Sequence, residues 1–350
     1  MSYIPTPRFS NSQIAKAGKK LRSYKPGSAE YEDAKLVVNE WRTCHAYPLS
    51  MVNIGLRNKT RNYPEAIVAQ RLKRMPTIID KLSRQPNMDL SRMQDIGGVR
   101  AILGSVAKVR AVESKYLGQK YEIEDHKDYL STPKADGYRG VHIILKYKSS
   151  RPQGNASNYN GMKIEVQLRT ELQHLWATAV ETVGFVNSQN IKAGKGSKKW
   201  VEFFRLASAA FAKVEEMPTQ HEYDGLTALE VYQKLAQFVK KTNILDELAG
   251  ITVATNRLKG KKHPAGSLHL IQLDTAKHEF NIKSYAKKNI GLAVKQYAVA
   301  EAHAEKNPSF QAVLVSTANM KQLESAYPNY FLDIGLFVQR INVLIGEVGK

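Results

Sequence analysis

The chain predicts an α+β fold: a mixed β-sheet flanked by helices, followed by a small C-terminal ββαβα module. Two segments, YRGVHIILKYK (138–148) and MKIEVQLRT (162–170), alternate apolar and polar residues with a period of two, as strands with one buried face do. Stretches that read as helical precede and follow them, and short strand-like runs return beyond Gly250. The length of 350 residues suggests two domains, and a hydrophobic content of 43% suffices for sizeable cores.

In chain order, residues 10–60 read as helical with a break at SYKPGS (23–28). In QRLKRMPTIIDKLSR (70–84), Pro76 suits the first position of a helix, and Ile78, Ile79 and Leu82 supply its apolar stripe. Arg71, Lys73 and Arg74 stand just before it. Cations beside the open N–H groups of a helix start form a phosphate cradle, though an ordinary solvated turn has the same composition. DIGGVRAIL (95–103) is a short Gly-started strand. Asp95 at its mouth can hold a magnesium ion, and Arg100 can point towards phosphates. In the first alternating segment Val141, Ile143, Leu145 and Tyr147 face inward, leaving Tyr138, His142 and Lys146 on the other face. In the second, Met162, Ile164, Val166 and Leu168 face inward and leave Lys163, Glu165, Gln167 and Arg169. A ring, an imidazole, a carboxylate and cations on one sheet surface suit a charged substrate containing an aromatic ring; the alternative is a solvated antiparallel sheet.

A helix at 199–216 follows the loop KAGKGSKK (192–199), then a loop MPTQHEYDG (217–225) and an amphipathic helix over 226–250, read as the connection between domains. Strands near 251–258 and 267–274 flank a basic turn, KGKKHPAG. A helix over 284–303, a strand FQAVLVS (310–316), a helix at 318–326, YPNYF and a last helix near 333–346 complete the module.

The formal net charge is +20, of which +16 falls in residues 1–220. Such a field attracts polyanions, and a nucleic-acid partner explains it better than nucleotides alone. Two basic runs stand out: Lys16, Lys19, Lys20, Arg22 and Lys25, and Lys192, Lys195, Lys198 and Lys199. Each is an RNA contact or a solvated Lys-rich loop. Cys44 is alone, so there is no disulfide framework and no thiolate zinc site, and the nine His lack metal-ligand spacing. With no run of eighteen apolar residues and no signal-like start, the expectation is a cytoplasmic protein with no membrane partner.

Four ordered blocks, RLKRMPTIIDKL, DIGGVRAIL, DYLSTPKADGYRGVHIIL and KIEVQLRTELQHLWATAVE, together resemble the RelA/SpoT-type nucleotide pyrophosphokinase domain. Together with the preceding WRTCHAYPL (41–49), typical of the smaller members, they span about residues 40–185. Thr77 stands where the family usually carries Ser, and Arg74 and Met75 replace smaller residues. No adjacent His-Asp pair marks a hydrolase segment. The resemblance implies transfer of the β,γ-pyrophosphate of ATP to a ribose 3′-hydroxyl. It implies Asp95 and Glu165 as holders of Mg²⁺, with Glu165 also taking the hydroxyl proton. It places Arg71, Lys73, Arg74, Thr77, Lys81 and Arg100 on ATP, and Tyr138 stacked on the acceptor base. Lys134, His142, Gln167 and Arg169 would line the acceptor side. His174, sharing a helix face with Glu181, would support the site or merely form a cap and surface pair.

The acceptor stays open among three expectations: the 3′-CCA end of tRNA in a toxic member, GDP or GTP in a small alarmone synthetase, or none in a non-catalytic sensor. The intact Asp95/Glu165 pair disfavours the last, and the positive charge of residues 1–220 favours tRNA. YPNY (327–330) resembles the Tyr-x-x-Tyr element of CapRel-type fused toxin–antitoxin proteins. That likeness implies a zinc-free, zinc-finger-like C-terminal domain in which Tyr327 and Tyr330 cover the ATP site until a phage protein, such as a capsid protein, releases it. A plain structural turn is the other reading of YPNY. The expected division is a catalytic domain over 1–225, a connecting helix over 226–250 and a regulatory domain over 251–350.

Overall fold

The computed structural model describes residues 5–119, 121–150, 154–186, 197–248, 268–274, 277, 279–286, 289–307, 310–316 and 334–349. Its first three helices are α1 (Asn11–Ser23), α2 (Ala29–Cys44) and α3 (Ala46–Thr60). The break expected at 23–28 falls between α1 and α2, where Ser28 caps the N-terminus of α2 by accepting from the Tyr31 amide. Strand β1 (Ile67–Leu72) leads into α4 (Met75–Arg84), which has Arg74 as N-cap and Pro76 in its first turn. Strand β2 (Gly97–Leu103), helix α5 (Val106–Leu117) and strands β3 (Glu122–Asp128), β4 (Val141–Lys146) and β5 (Lys163–Thr170) follow. Helices α6 (Glu171–Val186), α7 (Lys198–Val214) and α8 (Ala228–Thr242) come next. The C-terminal part contributes β6 (Leu268–Asp274), β7 (Glu279–Tyr285), α9 (Ile290–Lys306), β8 (Phe310–Ser316) and α10 (Gly335–Gly346). No helix of the described residues is long and apolar enough to cross a membrane.

The eight strands of the described residues form one sheet in the order β3-β4-β5-β2-β1-β8-β6-β7. The β2–β5 pair is parallel and the remaining neighbours are antiparallel. One face is closed by α3 and α5: Leu49 and Leu56 of α3 and Val109 and Val112 of α5 share a buried cluster with Val99, Ala101, Val141, Ile143, Ile164, Val166 and Leu168. Val141, Ile143, Ile164, Val166 and Leu168 are inward positions of the two alternating segments, as their period requires. Registry places Arg100 beside Gln167, Gly98 beside Glu165, and His142 beside Gln167 on the opposite face. Tyr147 and Met162, expected to pack inward, are only partly buried, because β4 ends at Lys146 and β5 begins at Lys163.

In the C-terminal part the described hairpin differs from the expected one. The region expected to form its first strand, 251–258, lies outside the described residues, as does the helix expected at 318–326. The described hairpin is β6–β7 (Leu268 opposite Tyr285), so EFNIKSY is a strand and the helix expected from 284 starts at Ile290. The helix read over 226–250 begins at Ala228 and is interrupted at Asn243, which takes a left-handed conformation (φ 51°), and helical backbone resumes over 244–248. Val231, Tyr232 and Leu235 of α8 are buried against Phe203, Phe204, Phe211 and α10 rather than spanning open space. In α10, Phe337 and Ile341 are fully buried in that same cluster. The last helix is therefore a structural part of the helical layer that follows β5.

Candidate active site

The face of β2, β4 and β5 opposite α3 and α5 carries Arg100, His142, Glu165 and Gln167. Asp95 precedes β2 and receives two ammonium groups, Lys73 Nζ to Oδ2 at 2.7 Å and Lys81 Nζ to Oδ1 at 3.0 Å. Lys73 lies in the loop before α4 and Lys81 in the last turn of α4, so the loop and the helix deliver them to one carboxylate. Burial on its own would raise the Asp95 carboxyl, but the charges of Lys73 and Lys81 outweigh it and hold the group below its usual range. Lys73 is lowered, chiefly by burial, with Asp95 opposing.

Glu165 stands on β5 close enough to Asp95 to raise that residue's proton affinity. Its Oε1 is 2.8 Å from His142 Nδ1, and its Oε2 accepts from Gln167 Nε2 at 2.7 Å. Burial opposes ionisation here too, yet the His142 charge and hydrogen bond keep the Glu165 carboxyl far below its ordinary value. His142 moves the other way, raised to about 9: burial lowers it, but Tyr138 and Glu165 outweigh that. A carboxylate held this firmly in its charged form suits metal holding and hydroxyl orientation better than early proton removal.

Tyr138 Oη meets His142 Nε2 at 2.5 Å and accepts from Arg169 Nη2 at 2.9 Å. Burial would raise its hydroxyl, but Arg169 and His142 bring it down to about 8. The Lys134 ammonium lies 5.3 Å from the Tyr138 ring centre and the Arg169 guanidinium 5.2 Å from it, so cations border an aromatic surface that remains partly exposed. Two glycines make this placement possible. Gly137 (φ +95°) and Gly140 (φ +146°) turn the chain on either side of Tyr138, and a Cβ on Gly137 would lie 2.9 Å from Gln220 Nε2 and 3.0 Å from Trp176. Between them, Arg139 is buried and paired with Glu215, which also accepts from Thr170 and Gln173.

The remaining expected residues divide. Arg71 on β1 is paired in register with Gly98 on one side and Val315 of β8 on the other. Arg100 is largely buried, with Nε 3.4 Å from Gln167 Oε1. Arg74 and Thr77 lie at the N-cap and in the first turn of α4. His174, on α6, is only 4% exposed. Lys16, Lys19 and Lys20 are exposed along α1, Lys198 is exposed at the start of α7, and Lys199 pairs with Glu247. Lys192, Lys195, Tyr327 and Tyr330 lie outside the described residues.

Several residues escaped the sequence reading. Tyr129 packs edge-on against both Tyr138 (5.7 Å) and His142 (5.4 Å), and its ring lies 4.5 Å from the Lys134 ammonium. It sits in the same DYLSTPK block as Lys134, but nothing in its spacing marked it. Arg42, Glu215 and Glu301 form buried ion pairs that only tertiary structure brings together.

Mg²⁺ is commonly bound by one or two carboxylates together with waters and substrate phosphates. Asp95 and Glu165 fit that pattern as a neighbouring pair whose charges are otherwise balanced by Lys73, Lys81 and His142. Among the described residues no group of three or more His, Cys, Asp or Glu forms a metal cage.

A family model described as the region found in RelA / SpoT proteins matches residues 70–185. The chain is 29% identical over 157 residues to the GTP pyrophosphokinase YjbM of Bacillus subtilis (strain 168), covering 44% of this chain and 71% of that protein. It is 28% identical over 194 residues to the uncharacterized protein Rv1366 of Mycobacterium tuberculosis, spanning 53% of this chain and 63% of that protein. Among solved structures, the small alarmone synthetase 1 from Bacillus subtilis bound to its product pppGpp aligns with a TM-score of 0.42 and 22% identity, over 53% of this chain and 94% of the other. The family match covers the strands and helices that carry Asp95, Tyr138, His142 and Glu165, and the chain contains a RelA/SpoT-type pyrophosphokinase domain.

Proposed function

We propose that the chain transfers the β,γ-pyrophosphate of ATP to the 3′-hydroxyl at the CCA end of tRNA, blocking translation. One observation carries the reading: a chain of contacts, joined by the electrostatic influence of Glu165 on Asp95, runs from a cationic carboxylate site to an aromatic one. Lys73 and Lys81 meet at Asp95, Asp95 neighbours Glu165, Glu165 holds His142, and His142 holds Tyr138. A triphosphate and a nucleoside placed at the two ends would meet at the two carboxylates. In the reaction the 3′-oxygen attacks the β-phosphorus, the bridge to the α-phosphorus breaks, and AMP leaves. Arg71, Lys73, Lys81 and Arg100 neutralise phosphate oxygens, which lets two anionic reactants approach. Asp95 and Glu165 would hold Mg²⁺, which supplies further neutralisation of the transferred group. The hydroxyl proton passes to the Glu165 carboxylate. Because phosphoryl-type transfer runs through a loose transition state, that proton leaves late and orientation matters more than strong basicity.

The choice of tRNA rests on the +16 charge of residues 1–220 and the exposed lysines of α1. A small alarmone synthetase acting on GDP or GTP is the second reading, favoured by the similarity to the Bacillus GTP pyrophosphokinase. Incubation with γ-labelled ATP and either deacylated tRNA or GDP/GTP separates them: label in tRNA is the expected result, and label confined to guanosine nucleotides would replace it with the second. Tyr138→Ala is expected to weaken acceptor use by about 1–3 kcal/mol, the usual worth of a base stack, with the KM for ATP unchanged. A change confined to the KM for ATP would move the acceptor elsewhere. Neutralising Lys16, Lys19 and Lys20 is expected to weaken tRNA use and flatten its salt dependence, while a short CCA-ended oligonucleotide is affected far less. Equal losses on both would remove these lysines from RNA binding.

For regulation, the proposal is that the C-terminal part restrains the ATP side until a phage protein, such as a capsid protein, binds it. Supporting this, β8 runs alongside Arg71 of β1. A tethered inhibitory segment acts at high effective concentration, so a weak contact suffices. The partner must bind the released form better than the closed one.

A further inference from the structure

The buried Glu301 of α9 belongs, by its contacts, to the loop that carries the cations. Its Oε1 accepts from the Met75 amide at 2.9 Å, the first N–H of α4. Its Oε2 is 2.5 Å from Arg42 Nη1, and that same nitrogen donates to the Lys73 carbonyl at 3.3 Å. Arg42 and Glu301 are 1% and 4% exposed, and the Tyr297 ring of α9 lies 5.2 Å from the Arg42 guanidinium. The backbone of Lys73–Met75 is thereby fastened at both ends by one buried ion pair, while the Lys73 side chain reaches Asp95.

We propose that Glu301 is a positioning residue for the ATP phosphates, so that the C-terminal part completes the site it is expected to regulate. The inference rests on the nucleotide reading above. Arg42 by itself would be a buried cation with no counter-charge beside the Lys73 carbonyl, and the start of α4 would lose the acceptor of its first amide. Lys73 and Lys81 could not then be held on one carboxylate with the same accuracy. A displacement of the phosphate-binding groups by an ångström costs large factors in rate. It follows that β8 and α9 stay docked in the working enzyme, and that any release concerns segments of the C-terminal part other than these two.

The test uses the full-length chain with Glu301→Ala, Glu301→Gln and the neutral pair Arg42→Gln/Glu301→Gln, the last because a lone buried Arg42 endangers folding. Binding of a non-hydrolysable ATP analogue is measured without acceptor, and KM values for ATP and acceptor are measured separately. Glu301→Ala is expected to weaken analogue binding and raise the KM for ATP about tenfold, with the acceptor KM within about twofold of the parent. Glu301→Gln, which retains an acceptor for the Met75 amide, should fall between. The neutral pair should melt near the parent temperature and still bind the analogue more weakly. Parent-like analogue binding by the folded neutral pair would overturn the proposal, as would tighter binding or a parallel rise in both KM values. Analogue binding that responds as expected without label on any acceptor would sink the transfer reading alone; no analogue binding by the parent would sink both.

Discussion

Glu165→Gln in the full chain is expected to lower pyrophosphate transfer by about a thousandfold or more, the scale on which preorganised charge acts in such sites. The side chain keeps its shape, and Gln167 keeps a hydrogen-bond partner, so the loss comes from charge. With the carboxylate gone, His142 loses one of the two interactions that hold it protonated and returns towards its ordinary range. Asp95→Asn should be equally inactive for a distinguishable reason. It frees Lys73 and Lys81 from their common partner, so ATP should bind at least as well without metal while transfer is lost. Single-turnover transfer, paired with ATP binding in the presence and absence of Mg²⁺, reads both effects. Parent-like transfer by Glu165→Gln would remove it from the chemistry.

The second large effect concerns the boundary between the halves of the chain. Deleting residues 251–350 is expected to unfold what remains rather than to liberate an active enzyme. Phe337 contacts the rings of Phe203, Phe204 and Phe211 at 6.1, 5.9 and 5.8 Å between centres, and Ile341 is completely buried beside them. Truncating a single buried phenylalanine typically costs about 3–5 kcal/mol. Whole-protein stability is only about 5–15 kcal/mol, so losing Phe337, Ile341 and Leu344 together exceeds what one core can absorb. The deletion also strands Arg42, a further loss of about 3–5 kcal/mol for a broken buried pair. Phe337→Ala in the full chain should lower the melting temperature by roughly 10 °C. A soluble 1–250 fragment with native near-ultraviolet dichroism would contradict this.

The candidate site was legible where chemistry and local pattern coincide. Period-two alternation put Glu165, Gln167 and Arg169 on one face of β5, and Pro76 marked the start of α4, because both signals are set by neighbours in sequence. The pairing of Lys73 and Lys81 with Asp95 needed the strand–helix arrangement, but each residue was already named. What sequence could not disclose was longer-ranged. Arg42 and Glu301 are hundreds of residues apart, and their types alone read as surface charges. The EFNIKSY strand escapes the sequence reading, since Phe280, Ile282 and Ser284 give only a weak alternation. The 226–250 segment carried helical periodicity, which reports an apolar face but not what covers it. Tyr129 and Arg139 became meaningful only once Gly137 and Gly140 had turned Tyr138 towards His142.

The most direct test of the central claim is the stoichiometry of AMP release. The full-length chain is incubated with γ-labelled ATP and the acceptor that takes label, and AMP is counted against labelled 3′ ends. Transfer of an intact pyrophosphate predicts one AMP for each labelled acceptor, with the added group recovered as a diphosphate. Release of ADP with a single phosphate on the acceptor, or ATP consumption without any labelled product, would contradict the account.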